Sequence, residues 1–345
     1  MKDSVCAVVV TYNRKSLLIE CLEALKSQTR PVQGIYLIDN ASTDGTAELL
    51  LDKDYISELP PQNLKEPWEK EFSITTFKDG NSIKLHYMRM HENTGGAGGF
   101  YEGVKRAYAK GYDWLWLMDD DAEPKEDALE LLSLYFKNSD VVGLASLVLS
   151  SDGNIAIYHR GKINLKNIFP LIQIPLNLEE YQKQFIEIDM ASFVGLLVNR
   201  NAIENIGFPN KEFFIHHDDV EYCIRLRTIG KILLVPKSII VHKEAAKGNN
   251  EEKRFLDRKS TRIEFDKLWL SYYGIRNLVW LGKQYSQNKI LFYIQMIKSL
   301  VKPIFGIIIY DDHKYKRIKF FLNAYFDGLK GKFDNRRPKK ILYEE

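Results

Sequence analysis

The stretch Trp114-Leu115-Trp116-Leu117-Met118-Asp119-Asp120-Asp121 runs five apolar residues straight into three carboxylates. An apolar run of this length reads as a strand buried on both faces of a parallel sheet. In open α/β sheets, ligands bind beyond the carboxyl ends of such strands. If extended geometry continues past Met118, Asp119 and Asp121 point to the same side. Two hard oxygen ligands there suit Mg²⁺ or Mn²⁺, and with it a diphosphate. The same residues also read as an acidic helix start, because Ala122-Glu123-Pro124 follow.

Outward from this stretch, the first half alternates strand and helix patterns. Val5–Val10, Gly34–Ile38, Lys84–Met90, Asp113–Met118 and Val141–Leu149 read as strands. Helical spacing covers Ser16–Ser27, Asp44–Leu51, Gly99–Lys110 and Glu126–Lys137. That alternation implies right-handed crossovers and a parallel sheet. Residues 53–80 are polar, carry Pro60-Pro61 and Pro67, and read as a rim insertion. Beyond 150 the pattern changes. Ile155–Tyr158, Phe185–Ile188 and Ser192–Val198 read as strands that need not be parallel, and Ile232–Val235 and Ile239–His242 as short strands. Arg200–Ile206 reads as a helix, as does Asp218–Ile229, closed by Gly230. From about Ser260 the chain reads as long helices. The expectation is an α/β catalytic domain over 1–255 and a helical appendage over 256–345.

The composition is that of an ordinary globular protein, 45% hydrophobic and 28% charged. Cys6, Cys21 and Cys223 have no metal spacing, and an odd count suits a reducing compartment. No signal peptide is legible at the start, and the expected location is cytoplasmic. Residues 281–345 hold 14 Lys and Arg against 6 Asp and Glu, while the whole chain is only +3.

Four further motifs and one histidine sit at strand or helix ends. Thr11-Tyr12-Asn13-Arg14 follows the first strand, where Arg14 could pair with phosphate or the loop could simply cap a helix. Asp39 ends the second strand, a position where an acid commonly meets a ribose or base; Asp44 reads as an N-cap. Asn93-Thr94-Gly95-Gly96-Ala97-Gly98-Gly99-Phe100 follows the third strand. Gly95, Gly96 and Gly98 permit close backbone approach to a ligand, and the helix beyond favours an anion. Neither a Walker loop nor a Rossmann fingerprint is present. Asp218-Asp219-Val220-Glu221-Tyr222 places acids at a helix start, as general bases or as caps. His242 ends a strand and is able to complete an Asp/Asp/His metal set. His216 and His217 diverge as neighbours and do not read as a metal pair.

Taken in order, Val8-Val9-Val10-Thr11-Tyr12-Asn13-Arg14, Ile38-Asp39-Asn40-Ala41-Ser42-Thr43-Asp44-Gly45-Thr46, the 93–99 glycine run, Met118-Asp119-Asp120-Asp121 and Asp218-Asp219-Val220-Glu221-Tyr222 with Arg225 resemble the family 2 glycosyltransferases of GT-A fold. The resemblance covers about residues 4–245. Within the family the chain is most similar to bacterial galactofuranosyltransferases, then to rhamnosyltransferases. The resemblance implies a GT-A type, Rossmann-like mixed and mostly parallel sheet flanked by helices. It implies that Asp39 contacts uridine with Thr11 and Arg14 nearby, and that Asn93, Gly95, Gly96, Gly98 and Asp120 bind the donor. Asp119, Asp121 and His242 would hold Mn²⁺ or Mg²⁺. Asp219 would be the catalytic base, with Asp218 open as the alternative because it replaces the family's usual Glu. Gly195, His217 and Glu221 would line the sugar and acceptor pocket.

The implied activity is an inverting, metal-dependent transfer of a sugar from a UDP-sugar donor, galactofuranose first, to a cell-surface polysaccharide or lipid-linked glycan. The rivals are a rhamnosyltransferase using dTDP-rhamnose and a non-catalytic nucleotide-sugar binding protein. A sugar-nucleotide pyrophosphorylase would want a glycine- and lysine-rich loop where Thr11-Tyr12-Asn13-Arg14 stands. In the C-terminal part, Trp269, Tyr272, Tyr273, Trp280 and the apolar Ile290–Tyr310 lie beside Lys314, Lys316, Arg317 and Lys319. That mixture suits an anionic membrane surface at the inner face of the cell membrane, or a subdomain that packs on the core or forms a homo-oligomer. No nucleic-acid motif accompanies the basic tail. Tyr272-Tyr273-Gly274-Ile275-Arg276-Asn277 also resembles a segment of these transferases, without a mechanism attached.

Overall fold

A computed structural model describes residues 3–78, 80–243, 250–255 and 258–344, the side chains of 250–255 and 258–260 excepted. The chain forms two compact units. One comprises 1–162, 175–211 and 218–245, the other 163–174, 212–217 and 246–345. Residues 256 and 257, where the sequence reading divides the chain, lie outside the described residues.

The first unit begins β1 (Val5–Thr11), α1 (Lys15–Lys26), β2 (Gly34–Asp39), α2 (Thr46–Asp52), β3 (Trp68–Thr75), β4 (Ser82–Arg89), α3 (Gly95–Ala109), β5 (Trp114–Asp119), β6 (Ala122–Pro124), α4 (Ala128–Ser133) and β7 (Val141–Ser150). The chain continues through β8 (Arg160–Ile163), β9 (Gln173–Pro175), β10 (Ile186–Ile188), β11 (Met190–Ala191), β12 (Leu196–Asn199), α5 (Arg200–Ile206), α6 (Asp218–Leu226) and β13 (Lys231–His242). One mixed sheet runs β10-β13-β7-β12-β5-β1-β2-β4-β3, with β6 added against β13. β1 is parallel to both β2 and β5, and β2 to β4. β12 is antiparallel to β5 and β7.

The apolar strands are apolar because both sheet faces are covered. Along β1, Val5, Ala7 and Val9 pack with Leu18, Cys21, Leu22 and Leu25 of α1 and with Leu129 and Leu132 of α4. Cys6, Val8 and Val10 pack on the opposite face with Phe100, Val104 and Ala107 of α3. All three cysteines are free and buried, as small core residues are.

Several local expectations change. Trp68–Thr75, inside the stretch read as irregular, is an antiparallel edge strand on β4. Its many polar residues reflect an exposed edge, which natural sheets protect with charge. Ile155–Tyr158 is not a strand: a 3₁₀ turn covers Ile157–His159 and the strand starts at Arg160. Of Ser192–Val198 only Leu196–Val198 is strand, in β12; β11 ends at Ala191, before it. Ile232–Val235 and Ile239–His242 are one strand, β13, whose register on β7 shifts between Val235 and Ile239. α6 stops at Leu226, so Gly230 is not its C′ residue. A Cβ at Gly230 would stand 2.8 Å from the Asp140 carbonyl oxygen, so the glycine serves a close approach of two chain segments.

The second unit holds the hairpin β14 (Asn250–Phe255) and β15 (Arg258–Ile263), then α7 (Trp269–Tyr285), α8 (Lys289–Tyr310), α9 (Lys314–Lys330) and α10 (Arg337–Tyr343). Leu268 and Tyr272 pack with Phe320, Ala324 and Leu342. The buried Asp327 carboxylate accepts from Tyr272 Oη at 2.6 Å and Arg337 Nη1 at 2.8 Å. Among the described residues, α8 is long and apolar enough to cross a membrane by length and composition.

Candidate active site

The carboxylates at the end of β5 are brought together by a turn, not by continued extension. β5 ends at Asp119, Asp120 and Asp121 form the turn, and β6 leaves antiparallel to β13. That pairing sets His242 opposite Ala122, one residue beyond Asp121. His242 Nε2 therefore lies 3.0 Å from Asp121 Oδ1. One ligand atom from each of Asp119, Asp121 and His242 falls within 4.8 Å of the others. Two carboxylates and an imidazole form a set that could hold a divalent metal ion, and the mixed oxygen and nitrogen donors fit Mn²⁺ well.

Charge is crowded here. Burial and the neighbouring Asp121 push the Asp119 carboxyl up to about 6. Burial pushes Asp120 up to about 7, against the opposing effects of Thr11 and Arg14. Asp120 Oδ2 accepts from Thr11 Oγ1 at 2.7 Å. Arg14 Nη1 bridges Asp120 Oδ1 at 3.2 Å and Asp121 Oδ2 at 3.1 Å. Thr11 and Asp119 reach one place because Val10 is paired with Asp119 across the β1–β5 ladder. The strand order reverses at this ladder, which is where open α/β sheets leave a crevice.

The loops after β1, β2 and β4 are sewn together by side-chain amides. Asn13, in the left-handed region, accepts from the Thr43 backbone N–H at 2.6 Å. Asn40 Nδ2 donates to the Gly95 carbonyl at 2.9 Å and to Asn93 Oδ1 at 3.1 Å, and its Oδ1 accepts from Thr94 N. Asn93 Oδ1 also accepts from Gly95 N at 2.8 Å. Asp39 is fully buried. It accepts from Ser42 N and Tyr87 Oη, each at 2.9 Å, and pairs with Arg89. Asn40 and Arg89 carry this framework; Asn40 lies within the 38–46 motif, whereas nothing in the local sequence marks Arg89.

The glycine run is not a loop ahead of a helix; it forms the first turns of α3. A Cβ at Gly99 would stand 2.5 Å from Val10 Cγ1, and one at Gly103 2.3 Å from Val8 Cγ1. These glycines let the helix lie close on β1. Gly98 faces its own Thr94 side chain, whereas Gly96 opens on space with nothing within 4 Å.

On the other side of the triad, α6 starts with Asp218 and Asp219. Burial and mutual repulsion drive Asp218 well above the usual carboxylate range. Burial raises Asp219 to about 6, opposed by its hydrogen bond from Val220 N and by the Arg160 guanidinium. Asp219 is close enough to Asp119 for its charge to help raise that carboxyl. The buried Arg160 donates to the carbonyls of Ser146 at 2.8 Å, His159 at 2.7 Å and Val194 at 2.6 Å. His159 packs edge-on against His242, ring centroids 4.9 Å apart. Sequence reasoning missed both residues, because a strand was expected where the 3₁₀ turn stands. Gly195 has φ +84°, and a Cβ there would meet Ile240 Cδ1 at 2.2 Å.

His217 and Glu221, both expected in the pocket, stand on either side of Asp218 and Asp219 in the chain. Both Glu221 oxygens are engaged by Arg225, at 2.8 and 2.7 Å, forming a clamp along α6. His217 falls in the second unit, in the segment Glu212–His217. In that segment Phe214, His216 and His217 are all left-handed. Asn277 Nδ2 holds the carbonyls of Phe213 at 3.0 Å, Ile215 at 3.1 Å and His216 at 2.8 Å, and Arg276 Nη2 adds the Phe213 carbonyl at 3.0 Å. The Arg276-Asn277 pair thus has a mechanical role.

The fold is shared with a solved structure of GalNAc-T7 with UDP, GalNAc and Mn²⁺. The TM-score is 0.56 at 15% identity, over 95% of this chain and 56% of that one. The architecture is the GT-A fold of nucleotide-sugar glycosyltransferases. The glycosyl transferase family 2 model matches residues 6–58 and 70–207, and the chain belongs to that family. It is 26% identical over 232 residues to galactofuranosyltransferase GlfT1 of Mycolicibacterium smegmatis, spanning 66% of this chain and 67% of the relative. It is 23% identical over 279 residues to dTDP-rhamnosyl transferase RfbF of Shigella flexneri, spanning 80% of this chain and 90% of the relative. The chain is a glycosyltransferase.

Proposed function

We propose that this glycosyltransferase moves galactofuranose from UDP-galactofuranose, with inversion, to a hydroxyl of a cell-surface polysaccharide or lipid-linked glycan. The observation that carries the reading is the grouping of Asp119, Asp121 and His242 with Asp219 alongside. The GlfT1 likeness supports the choice of sugar.

Asp119, Asp121 and His242 would hold the divalent ion, which when bound supplies positive charge for a diphosphate leaving group. Thr11 and Arg14 fix Asp120 and Asp121 in the turn, and Arg14 adds its own charge toward the phosphates. Gly96, opening on space at the start of α3, would admit the donor against the helix N-terminus. Asp39 would meet the uridine through the framework it anchors. Asp219 accepts the proton of the acceptor hydroxyl. The hydroxyl oxygen forms the new bond to the anomeric carbon, and the bond from that carbon to the diphosphate oxygen breaks, its electron pair leaving with UDP. Attack opposite the leaving group gives inversion. Between the two acids, Asp219 serves as base because Arg160 favours its charged form. Burial and the neighbouring Asp219 make Asp218 the acid that holds its proton more tightly.

The RfbF likeness, which covers more of both chains, supports a second reading with dTDP-rhamnose as donor. The test is acceptor-dependent release of nucleotide with Mn²⁺, comparing UDP-galactofuranose, dTDP-rhamnose and UDP-galactopyranose on a lipid-linked acceptor. Turnover with UDP-galactofuranose alone is expected. Turnover only with dTDP-rhamnose selects the second reading. Metal-dependent nucleotide binding without turnover of any of the three donors on a competent acceptor would exclude both sugars as donor.

A further inference from the structure

Helix α8 is amphipathic in an unusual sense: one face is packed on protein and the other is apolar and bare. Phe292, Met296 and Ile307 are buried. Phe292 stacks on Phe169 with centroids 6.0 Å apart, and Ser299 Oγ lies 2.8 Å from Tyr325 Oη of α9. The opposite face exposes Ile290, Ile294, Ile297, Val301, Phe305 and Ile308, at steps of three and four residues that make one stripe. Ile290 is 76% exposed and Phe305 63%. At roughly 1.5 Å per residue the stripe is nearly 30 Å long. Water would not leave such a strip bare without reason.

The charges on α8 identify what covers it. The helix contains Lys289, Lys298 and Lys302 and no Asp or Glu. Lys298 and Lys302 are exposed, each next to a stripe residue. α9 repeats the pattern with exposed Tyr315, Lys319, Leu322, Phe326 and Lys330, the last ammonium lying 4.2 Å from the Phe326 ring centre. A self-contact across the middle of the stripe would oppose Lys298 and Lys302 to their own copies without an acid on the helix to answer them. Spanning a bilayer would bury those lysines near mid-depth, and Pro303 beside them. We infer that α8 lies flat in the interface of an anionic lipid bilayer, its apolar stripe among the acyl chains and its lysines at the headgroups. This surface belongs to the second unit and stands independently of the donor assigned above.

The test is sedimentation of the full chain with vesicles of phosphatidylcholine alone or mixed with phosphatidylglycerol. The expected result is binding to the anionic vesicles, weakened at high salt. The doubly substituted Ile297→Asp/Phe305→Asp and Lys298→Glu/Lys302→Glu proteins should each lose about tenfold or more in affinity. Both pairs are solvent-exposed, and circular dichroism melts should remain those of the unsubstituted chain. Equal binding by the variants, or no binding by the parent chain, overturns the proposal. So does light scattering that shows a dimer split by Ile297→Asp/Phe305→Asp, which would make the stripe a self-interface. Retention in cell membranes through alkaline carbonate would make α8 a spanning helix instead. No donor or acceptor enters this assay, so its failure leaves the glycosyl-transfer reading untouched.

Discussion

His242 Nε2 lies 3.0 Å from Asp121 Oδ1, although the two stand 121 positions apart in the chain, because β6 turns back from the triple aspartate and pairs with the end of β13. The imidazole and the carboxylates arrive on different strands and meet only through this register. Removing either side should abolish cation binding while leaving the sheet intact. Mn²⁺ at a hundredfold excess over its dissociation constant would stabilise the chain by about 2.7 kcal/mol. Scanning calorimetry should show that rise in the unsubstituted chain and none in His242→Ala or Asp121→Ala.

The cation response should depend on pH in a defined direction. Asp119 and Asp120 have native values raised to about 6 and about 7, above the ordinary carboxylate. A raised acid contributes stability below its unfolded value, near pH 4, and loses it as pH rises through the folded value. Without metal, this cluster therefore costs the fold stability between pH 4 and about 7. A bound cation favours the ionised oxygens that protons otherwise occupy. The Mn²⁺-induced rise in Tm should be small at pH 5 and grow through pH 8. A rise that stays flat across that range would detach the cation from these carboxylates.

Asp219 as base predicts a matching kinetic profile. With its carboxyl raised to about 6, kcat/KM should fall as pH drops through that value. Asp219→Asn should reduce kcat by about 10²–10⁴-fold with donor KM little changed. Asp218→Asn, which mimics the protonated state assigned to that residue, should cost far less. The reverse ordering would move the base to Asp218.

The glycines of α3 divide into two kinds. Gly99→Ala and Gly103→Ala force a methyl within 2.5 Å and 2.3 Å of valine side chains on β1. Each should destabilise by about 1–3 kcal/mol in urea unfolding. Gly96→Ala meets nothing within 4 Å and should keep or slightly raise stability, while weakening donor binding if the nucleotide lies there.

Asn277 satisfies three carbonyls in a segment with three left-handed non-glycine residues. Asn277→Ala should cost about 2–3 kcal/mol of stability by taking this donor from the Ile215 and His216 carbonyls, Phe213 keeping the Arg276 bond. Proteolysis within 212–217 should become faster.

Amino-acid pattern alone determined the alternating α/β frame, because an apolar run at period two or 3.6 is a local property that burial demands directly. It also located Asp39, Asp119, Asp219 and the glycine run at the ends of elements, where ligands gather in such sheets. Tertiary structure decided which of those ends coincide. The edge strand β3 is polar and gave no periodic signal. Asp119 and Asp121 converge through a turn and not through strand alternation. Arg160, Asn40 and Arg89 act through partners on distant segments, and no spacing in the chain encodes such contacts. Gly99, Gly103 and Gly230 are glycine for reasons of packing that only the neighbouring strand or loop reveals. Local propensity is written residue by residue, whereas the register that sets His242 beside Asp121 is a property of two strands together.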